Sequence, residues 1–239
     1  MNNSYYETLD ENFNEALSLI EKPLSHNELI ELLRDGNIPQ KQLAALRLET
    51  LASKYDAEVL IGNLVGQDGK IREAVSLKIK ELSYNADCIS YFQALNANNI
   101  AQIFLLAITD INGNICRNII EVLGIFKNWD IFVECFTDKL TNLIFELIDI
   151  IKDFDFQDGK YKVNKEVFKL YWCLEALNVY YNKIPVLTLK KILLQTKNIE
   201  EYTIREKTAK ILSNKISDET LMAAREELKN DKNYYVRRF

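Results

Sequence analysis

The sequence predicts an all-α fold, an α-solenoid of roughly five helix-pair repeats with a capping helix at its N-terminal end. Three observations predict it. A short phrase returns along the chain, and apolar residues behind each copy recur at helical spacing. The composition, with only 7 Gly and 3 Pro in 239 residues, suits long helices joined by short turns.

The phrase is clearest at Asp68–Leu82, DGKIREAVSLKIKEL. With its apolar residue as an anchor, the copies are Ile38 in DGNI, Ile71 in DGKI, Ile115 in NGNI, Ile204 in EYTI and Val236 in NYYV. Val163, in DGKYKV, joins them after a longer approach. Asp35, Asp68, Asn112, Glu201 and Asn233 each stand three places before an anchor. Arg72, Arg205 and Arg237 directly follow theirs, and Arg117 lies one place later. Successive anchors are 33, 44, 48, 41 and 32 residues apart. An Asp or Asn at this place can accept from the first free N–H groups of a helix, and Gly turns the chain sharply before it. Apolar residues then follow near +4, +5, +8 and +11: Val75, Ile79 and Leu82; Ile119, Ile120, Leu123 and Phe126; Val167, Phe168, Tyr171 and Leu174. That spacing is a helix stripe facing a core, whereas a strand would alternate at period two.

This pattern resembles the HEAT repeat of armadillo-like α-solenoids, especially the bacterial phycobilisome-lyase type, with Asp, two or three residues, Val/Ile-Arg, then small and apolar residues. The resemblance covers roughly Ser25 to Phe239, with repeat lengths in the HEAT range. It implies a right-handed α–α superhelix forming one domain over 1–239, in which 1–22 is the cap and 25–239 the repeats, the last incomplete. It also implies a structural role for Asp35, Asp68, Arg72, Arg117, Glu201 and Arg205, tying neighbouring units together. Pro39 and Asn164 depart from the pattern where Arg is expected, and unit lengths vary.

In chain order, Thr8–Glu21 reads as the cap helix, with Asp10 near its start, a stripe of Phe13, Leu17 and Ile20, and Pro23 ending it. Ser25 and Glu28 have capping-box spacing and open the first outer helix through Leu33. Pro39–Leu51 follows the DGN turn, with Pro39 suited to a first helical turn. The second unit pairs 56–64 with 71–82. The third carries an additional segment, 88–95, before 100–108 and 115–126. The fourth inserts Trp129–Phe136, then a separate apolar helix Leu140–Ile151, the acidic loop 152–159 and a long inner helix, Val163–Tyr181. Pro185 opens the outer helix of unit five, partnered by Ile204–Ile216, and Asp218 caps a last helix through Leu228. The chain stops three residues past Val236, which points to truncation of a longer protein or to docking of this tail on a partner.

The composition, 48% hydrophobic and 27% charged, is that of a globular chain. A net charge of −5 and a pI near 5.2 argue against a broad nucleic-acid surface. The polar start MNNSYYETLDENF is no signal peptide and no apolar run reaches membrane-spanning length, so the expected compartment is the cytoplasm. Cys88, Cys116, Cys135 and Cys173 form no C-x-x-C pair and read as reduced core thiols. His26 is the single histidine, which removes most His-based catalysis and His-rich metal sites. The run Asp153, Asp155, Gln157, Asp158, Gly159 misses calcium-loop spacing, with Asn164 where the bidentate Glu belongs. Glu121, Glu146, Asp149 and Glu175, on apolar helices, read as ion-paired or exposed. No phosphate cradle or nucleophile elbow is present.

In HEAT stacks the second helix of each unit lines the concave side, and positions +6, +9 and +10 point away from the core stripe. They are Arg47, Leu48, Leu77, Lys80, Glu81, Glu121, Ile125, Lys169, Trp172 and Lys210. This mixture suits a protein or peptide partner, with Trp172 the leading contact and Trp129 the second. Tyr84, Asn118 and Asn128 would supply supporting hydrogen bonds. The expected function is a non-enzymatic scaffold or adaptor with no cofactor or metal. A bilin-lyase-like activity and a HEAT-fold nucleic-acid repair activity stand as the enzyme alternatives, the first lacking an evident nucleophile or base set and the second a basic groove.

Overall fold

The computed structural model describes residues 14, 17–152 and 160–239, with side chains from 165 onward in the helix that begins at Lys160. Among these residues every regular element is a helix and none is long and apolar enough to cross a membrane. The helices are α1 (His26–Asp35), α2 (Ile38–Arg47), α3 (Lys54–Gly62), α4 (Gly69–Leu82), α5 (Ala86–Gln93), α6 (Ala97–Ile108) and α7 (Gly113–Ile125). After a 3-10 turn at Phe126–Asn128 come α8 (Asp130–Lys152), α9 (Lys160–Val179), α10 (Val186–Thr196), α11 (Tyr202–Leu212), α12 (Glu219–Leu228) and α13 (Tyr234–Arg237). The contacts divide the chain into one unit of Met1–Ile103 with Asn112–Ile125, and a second of Phe104–Ile111 with Phe126–Phe239.

The first unit is built of two rows. α4 packs on both α2 and α7, while α3 packs on both α1 and α5, and α1·α2 and α3·α4 contacts join the rows. Leu33, Leu48, Leu60, Val75, Ile79, Ile119 and Val122 are fully excluded from solvent between them. Helix starts are set by caps. Asp68 accepts from Lys70 N–H at 2.8 Å and Asn112 from Asn114 N–H at 2.9 Å. Ser25 and Glu28 form a reciprocal capping box. The buried carboxylate of Asp56 gathers Ala52 N–H at 2.7 Å, the Ser53 hydroxyl at 2.8 Å and His26 Nε2 at 2.7 Å. It thereby ties the start of α1 to the start of α3. Burial pushes the Asp56 carboxyl up, but these three donors outweigh it and hold the group below the ordinary aspartate value.

The second unit repeats the plan. α9 packs on α11 and α11 on α13; α8 packs on α10 and α10 on α12; α8·α9, α10·α11 and α11·α12 contacts join the two rows. Its core includes a train of rings. Phe104 lies 5.7 Å from Phe132, Phe132 stacks 5.6 Å from Phe136, and Phe136 meets Tyr180 edge-on at 5.9 Å. α11 is enclosed on most of its circumference, so even Arg205, Glu206, Lys207 and Thr208 are buried.

Several expectations need correction. In the first repeat Asn37, not Asp35, caps the helix, in a reciprocal box with Gln40, and Pro39 sits in the first turn. This shifts the register, so Ile38 is 45% exposed where Ile71, Ile115 and Ile204 are buried, and Asp35 instead pairs with Arg34 at 2.7 Å. Gly36 follows α1 in extended backbone and leaves no room for a side chain, since a Cβ there would stand 2.4 Å from the Leu32 carbonyl oxygen; Gly69 is already inside its helix with open space around it. α2 ends at Arg47, not Leu51, and Leu48 is buried rather than presented. Trp129–Phe136 and Leu140–Ile151 are not separate segments. α8 runs unbroken through both, with no Gly or Pro between them, and the Thr137 hydroxyl donates back to the Val133 carbonyl at 2.8 Å. The additional segment 88–95 forms most of α5, which packs on α3. α11 stops at Leu212, where the Ser213 N–H closes the last turn on Ala209. Asp10, Phe13 and most of the cap helix, the acidic loop 153–159 and the side chain of Val163 lie outside the described residues.

Asp56→Asn should cost roughly 2–3 kcal/mol, because three converging donors lose an ionised acceptor. The native contribution of Asp56 is full above the ordinary aspartate pKa of about 3.9 and is lost as pH falls below it. Urea unfolding of wild type and variant, followed at pH 7 and through the acid range, should therefore show a gap that closes on acidification.

Candidate functional site

Most predicted contact residues of the first unit are already engaged within it. The Arg47 guanidinium donates to the carbonyls of Leu19 and Lys22, both at 2.9 Å, so it holds the segment preceding α1 rather than facing a partner. Lys80 on α4 pairs with Glu121 on α7 at 3.5 Å. Asn118 is buried and donates to the Ser76 hydroxyl at 3.1 Å, and Glu73 accepts from the side chains of Asn112 and Asn114 at 2.9 and 2.7 Å. These bonds stitch α4 to α7. Arg72 reaches back to the Gln67 carbonyl, while Tyr84 and Arg117 are exposed.

In the second unit Asn128 is exposed at the 3-10 turn. Trp129 stacks on Phe132 at 5.1 Å and meets Phe126 edge-on at 5.6 Å, so its ring belongs largely to the aromatic core. Lys169 is held by both oxygens of Glu166 at 3.1 Å. Arg205 forks onto Asp231 at 2.7 and 3.2 Å and donates to the Ile199 carbonyl at 2.9 Å, linking α11 to the turn before α13. That guanidinium holds the Asp231 carboxyl below its usual range.

Sequence reasoning missed the densest polar network. Glu175 on α9 takes Lys207 at 2.8 Å and Lys210 at 2.7 Å from α11, and Lys207 also sits 4.4 Å over the Tyr171 ring. Glu206 pairs with Arg238, and Asn214 donates to Asn178 at 2.8 Å. Burial pushes the Glu175 carboxyl up, yet the two ammonium donors prevail and hold it below the ordinary glutamate value. The signal available was weak: the Arg205–Thr208 run is four polar residues in succession, which reads on a helical wheel as solvated.

Beside this network lies an open groove of about 440 Å3, lined by Val167, Phe168, Tyr171, Trp172, Glu201 and Thr203. α9 supplies the first four residues within two turns, and the start of α11 supplies the others. Phe168 and Tyr171 stand near-perpendicular to Trp172, at 78° and 84°, with centroids 6.1 and 5.2 Å away. Trp172 Nε1 is buried and has no hydrogen-bond partner among the described residues. Glu201 caps α11 with one oxygen, Oε1, which accepts Thr203 N–H at 3.2 Å and the Thr203 hydroxyl at 3.0 Å. The arrangement offers apolar faces and one carboxylate for recognition. The carboxylates of the adjacent network are each bound to lysine or arginine.

Glu175→Ala should destabilise the protein by about 3 kcal/mol, since it strands the Lys207 charge in a buried place. Glu175→Leu combined with Lys207→Met should recover most of that loss, and a double-mutant cycle in urea checks both figures. No protein-family model, curated protein or solved structure matches the chain.

Proposed function

We propose that this protein is a non-enzymatic interaction scaffold of HEAT-like helix pairs, stacked in each unit in the manner of a right-handed α-solenoid and working in the cytoplasm. It holds a segment of another protein against the inner-row helices α9 and α11. The observation that carries this reading is the groove beside Trp172. Three aromatic rings converge there at a helix–helix junction, and such rings anchor protein interfaces through large, rigid contact areas. The repeated two-row packing supports the HEAT-like reading, because each helix pair presents one row to the outside and one to the neighbouring pairs. The charged groups around the groove act as structure: Glu175, Glu206 and Asp231 are matched by Lys207, Lys210, Arg238 and Arg205.

A random peptide library displayed on phage and selected on the intact chain should yield a segment whose affinity, measured by calorimetry, falls at least about tenfold in Trp172→Ala. The same peptide should bind Trp129→Phe as it binds wild type. Selected peptides that bind Trp172→Ala and wild type equally would sink the reading.

A further inference from the structure

We propose that the groove beside Trp172 is a receptor for an alkylammonium group, and that its occupant is a lysine side chain of the bound segment. That lysine is the anchor of the segment invoked in the interaction reading, on which it rests. The first reason is ring geometry. With Phe168 and Tyr171 each nearly at right angles to Trp172, the three rings form two corners of a box. Aromatic faces carry negative charge density and attract a cation within about 6 Å of the ring centre. Tyr171 already does so within the chain, with Lys207 Nζ 4.4 Å over its ring.

The second reason is charge. Among the described residues Glu201 is the one carboxylate in the lining, which includes no Lys, Arg or His. Among the described residues Lys169 is paired with Glu166 and Lys207 and Lys210 with Glu175, while Lys165, one turn before Phe168 on α9, is exposed and does not line the groove. An apolar occupant would strip water from the Glu201 carboxylate with nothing in return, whereas a cation compensates it. The third reason separates lysine from arginine. Glu201 Oε1 is occupied as a helix cap, and Oε2 has no partner among the described residues. A single available oxygen suits a compact ammonium, while a guanidinium gains most from binding two.

The chain has two tryptophans, so a 15N-labelled sample gives two indole signals, assigned with Trp172→Phe. The probes are acetylated, amidated alanine pentapeptides whose central residue is lysine, arginine or norleucine. The lysine peptide should shift the Trp172 signal saturably and leave Trp129 in place. Norleucine should bind at least about fivefold more weakly. Glu201→Gln retains the capping oxygen but not the charge, and should make the lysine and norleucine peptides equal. Equal binding of the two in wild type, tighter binding of the arginine peptide, or no saturable shift with any probe would overturn the proposal. A library-selected peptide that depends on Trp172 without needing a lysine would overturn this assignment alone and leave the scaffold reading standing.

Discussion

The turns that enter α4, α7, α11 and α13 leave backbone groups that no helix can satisfy, and the rest of each unit depends on how those groups are met. The N–H groups are taken by a side chain two residues ahead: Asp68, Asn112, Glu201 and Asn233 accept from Lys70, Asn114, Thr203 and Tyr235. At the turns into α4, α11 and α13 carbonyls are taken by the arginine that follows the buried anchor. Arg72 reaches Gln67, Arg205 reaches Ile199 and Glu200, and Arg237 reaches Asp231. One cap and one arginine thus close a turn from both directions. Arg205 goes further, because its fork onto Asp231 carries the closure of one turn into the next.

The second unit also buries charge. The Lys207–Glu175–Lys210 cluster sits between α9 and α11 with Tyr171 on its edge. Ion pairs in such places return little net stability compared with apolar packing, but a broken one is costly. The same pair of helices sets Glu201 and Thr203, at the start of α11, opposite the rings of α9. The groove is a by-product of how two neighbouring helices are indexed against each other.

Much of the fold was legible in the sequence because its signals are local. The stripes behind Ile71 and Ile115 are buried at Val75, Ile79, Leu82, Ile119, Leu123 and Phe126, whereas Phe168 and Tyr171 behind Val163 are half-buried and line the groove, and the caps fall at Asp68, Asn112 and Glu201. The first repeat misled because two residues competed for one cap. Asn37 with Gln40 makes a reciprocal box that Asp35 cannot, and so moved the register. The unbroken α8 was hidden by a polar stretch, Thr137–Lys139, whose side chains are compatible with a helix but do not announce one. The candidate site was legible only in part. Trp172 stood out by its type and position, whereas Glu201 looked purely structural, and its second oxygen becomes apparent only once the first is seen to be occupied.

The two-row packing has a consequence for how the chain acquires its structure. Within each unit the packed helices are close in sequence, and the bonds between them span short stretches: 41 residues from Glu73 to Asn114 and 42 from Ser76 to Asn118 in the first, 35 from Glu175 to Lys210 in the second. A chain leaving the ribosome therefore completes each helix pair soon after its last residue emerges, without waiting for distant sequence.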